Sequence, residues 1–288
     1  MTNPNEQWDI IIRPKKKWLD LNFRELIRYR DLTLLLFKRN FTVNYKQTVL
    51  GPAWVIIQPL LTTLVFTVVF GGIAGLPTDG MPSFLFYMAG NICWSFFSSC
   101  LTQSSKTFIT NRSLFSKVYF PRLCVPISIA LTQLLNFLVQ FLFFLVFLLI
   151  YALKPNSPVH PNFAMIAFTP LLLLQTAVLS LGIGIIISSL TTKYRDLNML
   201  VGFGVHLWMY GTPVTYSASL VMEKYPHLIG LYMLNPMTPI IEFFRSAYLG
   251  VESFSLHYMP ISIGTTLAVF VLGLLLFSRI EKTFMDTV

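Results

Sequence analysis

The chain has 288 residues, 55% of them hydrophobic and only 11% charged, with 26 phenylalanines and a formal net charge of +9. A soluble domain carries about 25% charged residues, so this chain lacks the polar groups to cover itself in water. An ordinary cytosolic enzyme, a disordered segment and a fibrous repeat are excluded. A polytopic, all-α membrane protein remains.

Residues 1–9 are polar and predict no secretory leader. From residue 19 to residue 45 apolar and basic residues alternate. Phe23, Leu26, Ile27, Leu34, Phe37 and Phe41 fit a helical stripe, with Arg24, Arg28, Lys38 and Arg39 between them. This predicts an amphipathic helix at the membrane surface, broken near Asp31-Leu32-Thr33, within an N-terminal unit of residues 1–52.

A bilayer core about 30 Å thick needs roughly 20 apolar residues as helix. Six uncharged runs qualify and place spans at about 53–74, 82–103, 124–153, 163–190, 197–217 and 258–278. They form a transmembrane unit of residues 53–278, followed by a tail of residues 279–288. Span three is longer than needed and must tilt or project. Six crossings put both termini on one side. All but Lys154, Lys224 and Arg245 of the 21 Lys and Arg fall on that side, which the positive-inside rule makes the cytoplasm. The net charge is a topology signal, and no nucleic-acid partner is expected.

The spans carry polar stripes instead of charges. Gln58 and Thr62 share a face of span one, with Thr63 and Thr67 nearby. Thr132, Asn136 and Gln140 recur at i+4 in span three beside Gln133, and Thr176, Ser180, Gly184 and Ser188 do so in span four. Such faces serve helix packing or form a hydroxyl-rich wall toward a polar substrate. Among the aromatics, Trp54, Tyr87 and Tyr216 fit interfacial belts. Others, Trp208 and Tyr210 among them, offer flat platforms for sugar faces. Cys93, Cys100 and Cys124 lack metal-ligand spacing and read as packing residues.

Two loops are basic or broken. Between spans two and three, residues 104–122 carry Arg112, Lys117, Tyr119, Phe120 and Arg122, which suits a surface helix that attracts an acidic headgroup. Between spans five and six, residues 225–241 are uncharged but hold Pro226, Pro236 and Pro239. They predict short re-entrant or surface helices forming an outer gate, with Asn235, Pro236, Glu242 and Arg245 as its site residues. A five-residue similarity also recurs: Arg28-Tyr29-Arg30-Asp31-Leu32 before span one, Lys193-Tyr194-Arg195-Asp196-Leu197 before span five. Both offer an Arg–Asp pair on the cytoplasmic side.

His206 is the only ionisable side chain within the predicted span cores. An ion-coupled transporter places an ionisable group near the midplane, and a membrane enzyme clusters acids and bases. Uphill transport therefore has to draw energy from elsewhere. The chain has no Gly-x-x-x-x-Gly-Lys-Ser/Thr loop, so a separate ATPase has to supply it.

The stretch Asn44-Tyr45-Lys46-Gln47-Thr48-Val49-Leu50-Gly51-Pro52-Ala53-Trp54, with Gln58-Pro59-Leu60 after it, resembles the entry to span one in the type 2 ABC exporters. The similar branch is the permease subunit that exports bacterial cell-surface polysaccharide: O-antigen, capsule, teichoic acid and related glycans. Asn111-Arg112-Ser113-Leu114 through Phe120-Pro121-Arg122, then Tyr194-Arg195-Asp196-Leu197, Asn235-Pro236, Phe244-Arg245, Leu249-Gly250 and Glu281-Lys282-Thr283-Phe284 are similar to that branch's later loops and ending, in order.

The resemblance implies a homodimer of six-span subunits in the bacterial cytoplasmic (inner) membrane, bound to two copies of an ATPase that holds ATP and Mg. No cofactor is expected in this chain. The substrate would be a polysaccharide on a polyprenyl-pyrophosphate lipid. Arg28, Arg30, Asp31, Tyr194, Arg195 and Asp196 would couple the ATPase. Arg112, Lys117, Tyr119, Phe120 and Arg122 would receive the headgroup. Gln58, Thr62, Asn136, Gln140, Trp208 and Tyr210 are the channel candidates. The alternative within the same fold is an ABC permease for small drugs or lipids. A membrane transferase on lipid-linked sugars is a remoter one, with only the outer-loop residues Glu223, His227, Glu242, Arg245, Glu252 and His257 to work with.

Overall fold

The computed structural model describes residues 23–46, 50–191, 196–251 and 257–287. Every regular element among them is helical. Among the described residues, five helical segments are long and apolar enough to cross a membrane: Gly51–Ile73, Ser83–Ser104, Cys124–Ala152, Thr169–Thr191 and Met259–Ile280. The protein is a multi-pass membrane protein.

The N-terminal region forms two helices, α1 (Phe23–Arg28) and α2 (Arg30–Tyr45). The break falls at Tyr29, two residues before the expected one. The first long segment opens with a tight turn at Gly51–Ala53, continues as α3 (Trp54–Phe66) and ends in a wide π turn, Thr67–Ile73. Pro59 lies inside α3 and has no N–H to give to the preceding turn. Asn91 of the next helix, α4 (Ser83–Ser104), braces this weak point. Its Nδ2 donates to the Pro59 carbonyl at 3.0 Å and to Thr63 Oγ1 at 3.2 Å.

Helix α4 is the axis of the bundle: 78% of its crossing window is buried, against 17% for the first segment. Around it pack α7 (Cys124–Ala152), α9 (Thr169–Thr191) and α3. Two very short helices, α5 (Thr107–Thr110) and α6 (Arg112–Lys117), precede α7, and α8 (Phe163–Ile166) precedes α9. Span four therefore starts later than 163, because Pro170 suits the first turn of a helix and not its middle.

Small residues set the closest contacts. A Cβ on Gly184 would meet Ser104 Cβ at 2.6 Å, and one on Gly182 would meet Phe270 Cα at 2.9 Å, so α9 touches both α4 and the last helix, α14 (Met259–Thr287), almost backbone to backbone. Such contact replaces the hydrophobic effect as the force between helices in lipid. Helix α14 continues well past residue 278.

The predicted fifth span is a shorter object. Helix α10 (Leu197–Tyr210) has 14 residues, about 21 Å at 1.5 Å per residue. Turns follow from Gly211, and Pro213 bars continuation. The segment after it folds as α11 (Ala218–Lys224), a tight turn at Pro226–Leu228, α12 (Ile229–Met233) and α13 (Met237–Leu249). Gly250 ends α13 at φ +81, pressed against the His160 carbonyl, where only glycine fits. None of these four pieces is long enough to cross.

Candidate functional site

A cavity of about 720 Å³ opens between α3, α4, α7 and α10. Its wall is made of amides and hydroxyls: Gln58 and Thr62 from α3, Asn91, Ser95, Ser98, Ser99, Thr102 and Gln103 from α4, and Gln133, Asn136 and Gln140 from α7. Trp54, Phe66, Trp94, Phe96 and Phe137 supply aromatic surface. Among the described residues, no Asp, Glu, Lys or Arg lines it, and His206 of α10 is the one titratable side chain there. Such a wall offers many hydrogen bonds and flat apolar faces but no fixed charge, which suits a neutral, hydroxyl-rich molecule.

Four of the six channel candidates, Gln58, Thr62, Asn136 and Gln140, line this cavity. Trp208 and Tyr210 do not. The Trp208 ring packs edge-on against Trp94 and Phe97, and its Nε1 donates to Asn235 Oδ1 at 3.1 Å. Tyr210 is exposed, and its carbonyl accepts from the Tyr216 hydroxyl at 3.0 Å. The polar stripes divide between their two readings. Thr176, Ser180, Gly184 and Ser188 of α9 are buried in the bundle, with the Ser188 hydroxyl accepting from the Phe108 amide at 3.3 Å. Gln58 and Thr62 of α3 and Gln133, Asn136 and Gln140 of α7 face the cavity, whereas Thr63 and Thr132 are buried. Sequence reasoning missed the α4 wall, although residues 91, 95, 98, 99, 102 and 103 repeat at three and four and share one helical face.

At the basic end, α2 lies along α7. Leu36 is 2% exposed among Phe108, Phe115, Phe120, Val125 and Phe277. Arg39 Nη2 donates to Asn111 Oδ1 and Asn40 Nδ2 to Ser128 Oγ, both at 3.3 Å. The N-terminal helix is thus bolted to the turn between α5 and α6. In the predicted headgroup set, Arg112, Lys117 and Tyr119 are exposed, whereas Phe120 is a core residue. Arg122 lies half-buried, 5.5 Å from the Phe115 ring.

In the predicted coupling set, Arg28, Arg30 and Asp31 are exposed, and Arg30 stands 3.8 Å from Asp31. Asp196 caps α10, its Oδ1 accepting from the Leu197 amide at 3.1 Å. Tyr194 and Arg195 lie outside the described residues.

The opposite end is knotted. Arg245 is fully buried. Its Nη2 donates to the Val214 carbonyl at 2.9 Å, its Nη1 stands 3.3 Å from Glu242 Oε1, and its guanidinium lies 3.6 Å from the centre of the Phe86 ring. Burial raises the Glu242 carboxyl above its ordinary range, and the neighbouring Arg245 cation opposes that rise. Asn235 donates to Thr212 Oγ1 at 2.8 Å and accepts from the Met237 amide at 3.1 Å. The Pro236 carbonyl accepts from Ser262 Oγ at 2.7 Å, tying the segment to α14. Asp79, from the loop after the first segment, accepts from the hydroxyls of Ser217 and Ser219.

The profile of the ABC-2 type transporter family matches residues 31–249. Two O-antigen export system permease proteins RfbA of Klebsiella pneumoniae are similar to the chain: 27% identical over 256 residues and 28% over 261, each match covering 89% of this chain and 94% of the relative. The O-antigen export system permease protein RfbA of Myxococcus xanthus is 27% identical over 226 residues, covering 78% of this chain and 83% of the relative.

Proposed function

The chain belongs to the ABC-2 type transporter family and is a transport permease, not an enzyme; on that premise we propose that it is the membrane subunit of an exporter that moves lipid-linked cell-surface polysaccharide out of a bacterial cell. Two copies of the chain form the passage across the cytoplasmic membrane. Two copies of a separate ATPase, which bind ATP and Mg, dock at the basic end. The carrier is a polyprenyl-pyrophosphate lipid.

The observation that carries this reading is the uncharged amide, hydroxyl and aromatic wall of the cavity between α3, α4, α7 and α10. A membrane protein lines a cavity of this size with polar groups when something polar occupies it, since the same surface facing lipid would be unsatisfied. Matches over 78–89% of the chain to permeases named for O-antigen export support the glycan. The low burial of the first segment supports a second subunit across from it.

In this reading α10 is the sixth crossing, and both termini lie in the cytoplasm. Arg28, Arg30, Asp31, Tyr194, Arg195 and Asp196 receive the ATPase. Arg112, Lys117 and Arg122 meet the pyrophosphate, and α11 to α13 close the outer end.

Gene deletion tests the proposal. Lipid-linked polymer retained inside the cell, with none at the surface, is the expected result. Normal surface glycan with altered drug or lipid sensitivity would instead assign the protein to small substrates.

A further inference from the structure

Gln133 and Gln140 stand seven positions apart on α7, two helical turns, and both line the cavity. They are 4% and 8% exposed. Gln133 Oε1 accepts from Asn136 Nδ2 at 3.1 Å. Among the described residues, Gln133 Nε2 and Gln140 Oε1 have no hydrogen-bond partner. Buried amide atoms without partners cost stability, and an apolar side chain of the same shape would avoid that cost.

The missing partners have a definable chemistry. An amide presents donors on one side and an acceptor on the other. A hydroxyl both donates and accepts, so it satisfies each glutamine whichever way round the amide sits. A carboxylate or phosphodiester only accepts. Among the described residues the wall holds no Lys or Arg to balance such a charge, and an unpaired charge in a poorly solvated site is costly. A polymer charged at every repeat would meet that penalty at every step, whereas a single charged headgroup meets it once.

We propose that Gln133 and Gln140 form a subsite that reads sugar hydroxyls, and that the polymer this chain carries is built of uncharged repeats, not of uronate, sialate or phosphodiester units. This rests on the polysaccharide-export reading and narrows its substrate.

The test uses a strain lacking the gene and complemented with full-length protein: wild type, Gln133→Met, Gln140→Met or both. Surface polymer, retained lipid-linked polymer and permease level in the membrane are measured together. The acid content of the polymer is then determined. We expect a neutral polymer and a loss of export rate of about fivefold for each substitution, the factor that one ordinary hydrogen bond supplies, at unchanged permease level. If deletion leaves surface glycan untouched, the export reading itself falls. If export depends on the gene but the polymer is acidic, or the double variant exports at the wild-type rate, this inference is overturned and the export reading stands. Should the double variant not accumulate, the polymer's composition decides.

Discussion

Arg30 and Asp31 stand 3.8 Å apart at the basic end with side chains 77% and 88% exposed; Arg245 and Glu242 stand 3.3 Å apart at the other end with 1% and 5% exposed. Each pair joins an arginine to a carboxylate, and the physics differs. Water screens the first pair, which contributes little to folding. The second has lost water on all sides. It is held by two backbone carbonyls and the Phe86 ring as well as by its partner. There each charge depends on the other, and removing one leaves an uncompensated ion. The bundle is thus rigidly cross-linked at the α13 end and leaves its exposed charges at the basic end for something else to touch.

The largest effect is expected from Arg245→Met, which strands Glu242 and should cost about 3–5 kcal/mol, read as thermal unfolding of the purified protein in nanodiscs. The loss should depend on pH. Without the opposing Arg245 cation, burial raises the Glu242 pKa further above its unfolded value. A carboxyl raised in the fold favours folding at low pH, and that contribution is lost as pH rises through the folded pKa. The variant should therefore recover part of its stability on acidification, and Glu242→Gln added to it should remove that pH dependence. A pH-independent loss would show that packing on Phe86, not charge, is what Arg245 supplies.

Gly90→Ala approaches the same knot from α4. Its Cβ would lie 2.7 Å from Arg245 Nη2 and 3.0 Å from the Val214 carbonyl oxygen, so the guanidinium has to move off that acceptor. A loss of about 1–3 kcal/mol is expected from overpacking. Asn235→Leu is next, since it leaves the Trp208 indole N–H and the Met237 amide without their acceptor, at about 1–3 kcal/mol. Red-shift or broadening of Trp208 emission should accompany it. An Asn235→Leu protein as stable as wild type, with Trp208 unchanged, would remove the side chain from the knot.

These same residues show what a sequence discloses. Long apolar runs gave five crossing segments, because lipid enforces length and apolarity with few exceptions. The α4 wall was readable in principle: α4 has a mean hydropathy of 1.3, the least of the five, against 2.0 to 2.5 for the rest. Arg245 stood out as one of three basic residues on the far side, with Glu242 three positions before it. Its burial was not readable, because Val214, Tyr216 and Phe86 come from other parts of the chain. The same holds for Arg39 and Asn111, which lie 72 residues apart. Trp208 packs on Trp94 and Phe97 and does not line the cavity, a placement its sequence does not disclose, because an indole that stacks on sugar and one that stacks on aromatic neighbours have the same local sequence. Pro213 lies inside the uncharged run and follows the end of α10 at Tyr210, since lack of charge signals apolarity and not helix continuity.

The smallest stability effect and the most informative contrast belong to the exposed pair. Arg30→Ala or Asp31→Ala should shift stability by no more than about 0.5 kcal/mol, as surface charges do. If the pair couples a docked ATPase to α2, the same substitutions should lower ATP-dependent export several-fold while the bundle stays intact. Helix α2 has the rigidity to pass on such a push, since Leu36 is locked into the core beside Phe108 and Phe115 and Arg39 holds Asn111. Displacement at Arg30 would reach the turn between α5 and α6 without bending α2, provided the ATPase grips the exposed face. Asn111→Ala separates the two ideas. It leaves the Arg30 surface untouched and cuts the strut behind it, so ATPase binding should persist while export falls. Full export by Asn111→Ala together with Asp31→Ala would mean that force enters the bundle by another route.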